Sequence, residues 1–227
     1  MSSAARAFLA RHRWSLPLSL VAAAFFARLA SELQEGELGP FDIQASGLVA
    51  RLRGQLDRPM LGLTWLGNGT SLLVITLISL ALLTLKQRKR EALFLLTASS
   101  GTLVLSALLK LAFHRPRPGA DLLYLLTSPA SFSFPSGHAF GSTGVLLSLL
   151  IVARALGLRS WYLIATTAVA IAVIVGIATS RVYFGVHFPS DVVGGMLAGS
   201  AWVSGITGWF YPRLLPGEAA EDPPRVS

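Results

Sequence analysis

Six stretches of the chain are apolar and nearly free of charge, at 14–33, 66–85, 92–113, 138–156, 160–180 and 191–211. A helix needs about 20 such residues to cross a bilayer. Each stretch also contains Gly, Ser or Thr, residues that let helices approach closely in lipid. The pattern predicts an all-α fold, a six-helix transmembrane bundle forming a single domain over 1–227. The first stretch has Pro17 in its opening turns and Arg28 near its far end, where a long side chain can snorkel to the interface. An N-terminal apolar run can also be a secretory signal, but no clean small-x-small cleavage site followed by a soluble domain is evident. Between the first two spans lies a polar outer loop, 34–65. Within it Ile43, Leu48, Val49, Leu52 and Leu56 recur at near-helical spacing. That segment reads either as an interfacial amphipathic helix carrying Arg51 and Arg53 or as a solvated surface helix.

Composition agrees with the membrane reading. Charged residues make up 13% of the chain and hydrophobic ones 53%, whereas a soluble domain carries roughly 25% charged residues. The net charge of +8 comes from short basic clusters between apolar runs, which excludes a nucleic-acid surface as the primary reading. Arg6–Arg13, Lys86–Arg90, Arg154–Arg159 and Arg213 fall on one side if the N-terminus is cytoplasmic, as the positive-inside rule requires. The same count puts loop 34–65, segment 114–137 and junction 180–191 together on the outer face. Cysteine is absent, so disulfides, thiolate metal sites and a cysteine nucleophile are excluded. The Pro- and acid-rich tail after Pro212 reads as a short disordered end.

Those outer-face segments carry the candidate chemistry. Ionisable groups beside a lipid core are functional candidates by default. Here they are Lys110, Arg117 and Arg181, two histidines, His138 and His187, and one carboxylate, Asp191. Three cations facing one carboxylate call for a strongly anionic ligand, and guanidinium forks match phosphate oxygens. A divalent metal is disfavoured by the single carboxylate, and a zinc site by the adjacent cations. Ser136-Gly137-His138 stands at a helix start, where free N–H groups cradle anions and glycine allows close approach. Taken alone, that tripeptide reads better as an ordinary capped helix with an interfacial histidine. His187 and Asp191 lie four apart across a start marked by Pro189, a spacing that can bring the carboxylate to Nδ1 and free Nε2 as nucleophile. Alone, such a pair is commonly a structural ion pair.

Together the clusters are specific. Lys110-(six residues)-Arg117-Pro118, Pro135-Ser136-Gly137-His138 and Ser180-Arg181-(five residues)-His187-(three residues)-Asp191 resemble the three-part signature of the type 2 phosphatidic acid phosphatase superfamily, in the family's order. Phe41-Asp42 in the first loop is similar to many bacterial members. The resemblance implies an integral-membrane, metal-independent lipid phosphatase in a bacterial inner membrane, with its site facing outward. It implies His187 as nucleophile through a phosphohistidine, oriented by Asp191, with His138 as general acid and then base. Lys110, Arg117, Arg181, Ser136 and Gly137 would hold the phosphoryl oxygens. His114 and Arg115 lie outside the signature. The implied substrates are lipid phosphates or diphosphates, first undecaprenyl diphosphate, then phosphatidylglycerophosphate or phosphatidic acid. A phosphotransferase using lipid A or another lipid acceptor, and a non-catalytic lipid-phosphate binding or transport protein, are the alternatives.

Overall fold

The computed structural model describes residues 14–127 and 130–214. The predicted basic segment with Arg6, Arg11 and Arg13, the Arg213 side chain and the tail beyond 214 lie outside the described residues. Among these residues there are eight α-helices and no strand: α1 Ser15–Gln34, α2 Gly39–Ala50, α3 Asp57–Leu66, α4 Gly69–Leu85, α5 Lys89–Phe113, α6 Gly137–Ala155, α7 Ser160–Tyr183 and α8 Pro189–Leu214. A single 3₁₀ turn, Ala120–Leu122, interrupts the segment between α5 and α6. Four helices, α1, α5, α6 and α7, are long and apolar enough to cross a membrane, and the bent pair α3–α4 makes a fifth if counted as one span. The protein is an integral membrane protein.

Polarity is arranged as lipid demands. Leu73, Val74, Leu77, Ile78 and Leu82 point outward from α4, and Ile164, Ile171 and Val175 from α7. Inside the bundle small and hydroxylated residues are common, which permits close backbone approach. Helix α8 packs along both α1 and α6, and α6 also contacts α5 and α7. Glycine makes these crossings possible: a Cβ on Gly195 of α8 would sit 2.7 Å from the Ser136 carbonyl oxygen, at the start of α6. One buried apolar cluster, Leu83, Ala92, Phe94, Leu95, Val152, Val203 and Phe210, lies toward the far ends of α4, α6 and α8 and the near half of α5, and another, Tyr183, Phe184 and Val186, lies at the turn before α8.

The loop between α1 and α4 holds more helix than its composition advertised. Of the apolar positions only Ile43, Leu48 and Val49 lie on α2, which ends at Ala50, so Leu52 and Leu56 fall beyond it and Arg51 and Arg53 are not carried on its face. Arg53 is drawn instead to two backbone carbonyls, of Tyr183 and Leu122, at 2.9 and 2.8 Å. Helix α2 is inside-out for water: Phe41, Ile43 and Leu48 are exposed, while Asp42 and Ser46 are buried. The apolar run predicted to begin at 66 is preceded by α3 at a 52° bend. The break is local chemistry. Asn68 adopts an extended backbone and its side chain accepts from the Ser71 N–H at 2.7 Å, while Gly67 packs so closely on Ile177 that a Cβ would lie 2.3 Å away.

Candidate active site

Alternating helix directions bring the C-terminal ends of α5 and α7 to the N-terminal ends of α6 and α8. The predicted clusters sit on those four ends, and the structure brings them together. Lys110 is in the last turn of α5 and Arg181 in the last turn of α7. Arg117 lies on the following loop, and its Nη1 donates to His187 Nε2 at 3.0 Å and to the Val186 carbonyl at 2.7 Å. Its Nε donates to the Ser131 carbonyl at 2.7 Å, which fixes the plane of the fork. Lys110 Nζ donates to the Phe132 carbonyl at 2.5 Å. His138 has the cations Arg181, Arg117 and Lys110 and the His187 ring as its neighbours.

The Arg117 contact settles the His187 tautomer. A guanidinium only donates, so Nε2 must present its lone pair and Nδ1 carries the proton. Nδ1 faces Ser133 Oγ at 3.2 Å and Asp191 Oδ2 at 3.4 Å. The direct carboxylate contact is thus longer than the ordinary range of about 2.7–3.2 Å for such bonds. Ser133 fills in: its hydroxyl donates to Asp191 Oδ2 at 2.5 Å and can accept from Nδ1. Oδ2 also accepts from the Phe188 N–H at 2.8 Å. Burial pushes the His187 pKa down to about 4, against the opposing pull of Asp191, so the imidazole is neutral at pH 7. Burial also lowers the Arg117 guanidinium from its ordinary value, partly offset by Asp191.

Ser136 takes the N-cap position of α6, but its side chain makes no capping bond. Its N–H is held by the Asp191 carbonyl at 2.9 Å, which pins this loop to the start of α8. The hydroxyl is buried without a partner, and so is Arg181 Nε, whose Nη1 donates to Thr64 Oγ1 on α3. Buried polar groups are almost always paired. Two such orphans beside a lysine and another arginine fit a tetrahedral oxyanion. A Cβ on Gly137 would meet only Ser106 and Lys110 atoms at 3.7 and 3.8 Å, so this glycine leaves space toward the cations.

Sequence reasoning missed four residues here. Ser133 and Thr64 carry no signal of their own. Arg115, set aside as outside the signature, donates to Asp191 Oδ1 and to Asp42 Oδ2, both at 2.6 Å. Asp42 was noticed only as a loop feature, yet it is 1% exposed and also accepts from the Ser190 N–H and hydroxyl. A lone charged side chain in α2 was the available signal. His114, in contrast, ends α5 in the left-handed region (φ 47°), with its ring 4.5 Å from that of Phe132.

An apolar helical bundle with cations, imidazoles and an N-terminal helix cradle at one end defines a membrane enzyme of phosphoryl chemistry. Residues 91–214 match the PAP2 superfamily. The chain is 33% identical over 183 residues to phosphatidylglycerophosphatase B of Bacillus subtilis, covering 77% of this chain and 86% of that one. Over 92 residues it is 40% identical to an undecaprenyl-diphosphatase of Sulfolobus acidocaldarius, 40% of this chain and 39% of the relative. The crystal structure of a transmembrane PAP2-type phosphatidylglycerolphosphate phosphatase from Bacillus subtilis superposes with a TM-score of 0.77 at 28% identity, over 85% of this chain and 95% of that one. The chain belongs to the PAP2 superfamily. It is a lipid phosphatase.

Proposed function

We propose that the protein is a single-domain, six-span enzyme that hydrolyses a lipid phosphate or diphosphate at the outer face of the membrane, by way of a phosphohistidine on His187. The observation that carries this reading is the Nε2 lone pair of a neutral His187 held 3.0 Å from Arg117, beside the unpartnered Ser136 hydroxyl and Arg181 Nε. A phosphoryl group entering between imidazole and guanidinium would put phosphorus in line with Nε2. The N–P bond forms as the P–O bond to the lipid breaks, and His138, which the negative charge of the bound phosphoryl group would keep protonated among the cations, gives its proton to the leaving oxygen. The Nδ1 proton faces Ser133 and Asp191, whose negative charge stabilises the imidazolium that develops. Water then attacks phosphorus, His138 takes its proton, the N–P bond breaks and phosphate leaves. Lys110, Arg117, Arg181, Ser136 and the Gly137 N–H would hold the equatorial oxygens, the positions where charge spreads during phosphoryl transfer.

Helix α8, 26 residues from Pro189, would complete the six spans beside the other helices and the bent pair. Undecaprenyl diphosphate is the first substrate, because a curated relative bears that activity in its name, and phosphatidylglycerophosphate follows on the same ground. The decisive measurement is phosphate release from purified polyprenyl diphosphate, phosphatidylglycerophosphate and phosphatidic acid, with and without chelator. Turnover that survives chelation is expected; no release from any of them would remove the assignment. A second test uses His138→Ala, expected to slow breakdown of the intermediate by ~10²-fold or more. Acid-labile phosphate should then accumulate on His187, and its absence would overturn the covalent route.

A further inference from the structure

We propose that Arg115 and Asp42 are positioning residues that set Asp191 for its work on His187. This deepens the reading above and rests on it. The two oxygens of Asp191 are divided between two tasks. Oδ2 takes Ser133, the Phe188 N–H and the His187 side. Oδ1 takes Arg115 Nη1, which donates at 2.7 Å to Ser190 Oγ as well. The same guanidinium holds Asp42 Oδ2 through Nη2, so one fork grips two carboxylates from opposite ends of the sequence. Asp42 in turn accepts from the Ser190 N–H at 2.9 Å and hydroxyl at 2.6 Å, which fixes the first turn of α8, the turn that carries Asp191. The Arg115 guanidinium lies 4.5 Å from the centre of the Phe188 ring, next to His187 in sequence.

Burial decides what such a cluster is for. The side chains of Arg115, Asp42 and Asp191 are 12%, 1% and 0% exposed. Buried ion pairs gain little net stability because desolvation offsets their attraction, but breaking one leaves an uncompensated charge. The benefit is geometric and electrostatic. With Oδ1 bound to Arg115, the carboxylate cannot rotate away from His187. The charge of Arg115 also offsets Asp42, so that His187 is governed by Asp191 rather than by two carboxylates. The other groups bearing on His187 are Arg117 from the loop after α5, Arg181 from α7 and His138 from α6; Lys110 of α5 bears on Asp191.

The test uses the full-length protein in nanodiscs with a lipid phosphate that it hydrolyses. Arg115→Met removes a cation behind Asp191 and is expected to lower kcat by up to ~10²-fold, with KM and inhibition by inorganic phosphate little changed. The acid limb of kcat/KM should move upward by on the order of one pH unit, since the added net negative charge favours protonated His187. Asp42→Asn removes an anion and should move the same limb downward, and the double variant should return it toward wild type. A residue that merely supports the fold would not shift the limb in opposite directions. Limbs that stay in place, or move together, overturn the inference, as does a raised KM at unchanged kcat. If Arg115→Met does not fold, the near-isosteric Asp42→Asn carries the sign test by itself, and an unmoved or raised limb overturns it. If the wild-type protein releases phosphate from no lipid, the roles of His187 and Asp191 fall and this inference falls with them. An active wild type with unmoved limbs removes the inference alone.

Discussion

His187 owes its lone pair to two independent facts: burial keeps the ring neutral, and Arg117 leaves Nε2 no role but acceptor. Burial has a cost that can be measured. A histidine whose folded pKa lies near 4, below its ordinary 6.5, stabilises the fold fully above pH ~6.5. That contribution drains away as the pH falls toward 4, because the unfolded chain binds the proton more readily. The melting temperature of the wild-type protein in micelles should therefore fall more steeply between pH 6.5 and 4 than that of His187→Gln. Equal slopes would mean that the ring is not held neutral. Six of the eight candidate residues stood out in the sequence because charges and imidazoles at the ends of apolar runs are costly, whereas Ser136 and Gly137 drew attention only through the helix start and the resemblance. Ser133, which bridges His187 and Asp191, was not legible, since a serine among serines and phenylalanines advertises nothing. Arg115 and Asp42 were readable as ionisable groups, but their partnership spans 73 residues and exists only once α2 has folded back over α8.

At the scale of elements, the site is made by where helices stop. Helix α7 ends at Tyr183 and α8 starts at Pro189, and the turn between them must present His187. Gly185 makes that turn with φ +67°, and a Cβ there would lie 1.7 Å from the Leu122 carbonyl oxygen. Gly157 has φ +83° in the turn between α6 and α7, with nothing within 4 Å of its hypothetical Cβ. The pair separates strain from collision. Gly157→Ala is expected to cost about 1–2 kcal/mol of stability from the left-handed backbone alone and to leave turnover intact. Gly185→Ala adds a clash with backbone and should abolish activity, with a clearly larger loss of thermal stability. Equal losses in melting temperature would refute the collision. The all-helical character was plain in the sequence because long apolar runs admit little else in lipid. The bend at Gly67-Asn68 was hidden, because the preceding segment contains Asp57, Arg58 and Pro59 and reads as polar loop, although Pro59 sits in the first turn of α3, where it is tolerated.

The whole molecule is polarised along its long axis, and that polarity bears on which face the site occupies. The phosphate-fitting groups collect where α5 and α7 end, while Lys86, Arg88, Lys89, Arg90, Arg154 and Arg159 lie at the opposite end. Counting cations alone barely separates the two ends, since Arg51, Arg53, Arg58, Arg115 and Arg117 lie on the site side. Arg53, Arg115 and Arg117 are tied to carbonyls and carboxylates of the protein. Lys86, Arg88, Lys89 and Arg90 instead crowd one short turn between α4 and α5, the kind of basic cluster that the cytoplasmic side retains. The cysteine-free sequence makes the consequence simple to examine. Asp121→Cys lies on the site side and Ser160→Cys at the start of α7, both at exposed positions. A membrane-impermeant maleimide applied to intact cells should label Asp121→Cys and spare Ser160→Cys until the membrane is opened. The reverse pattern would place phosphate release in the cytoplasm and exclude any substrate confined to the outer leaflet.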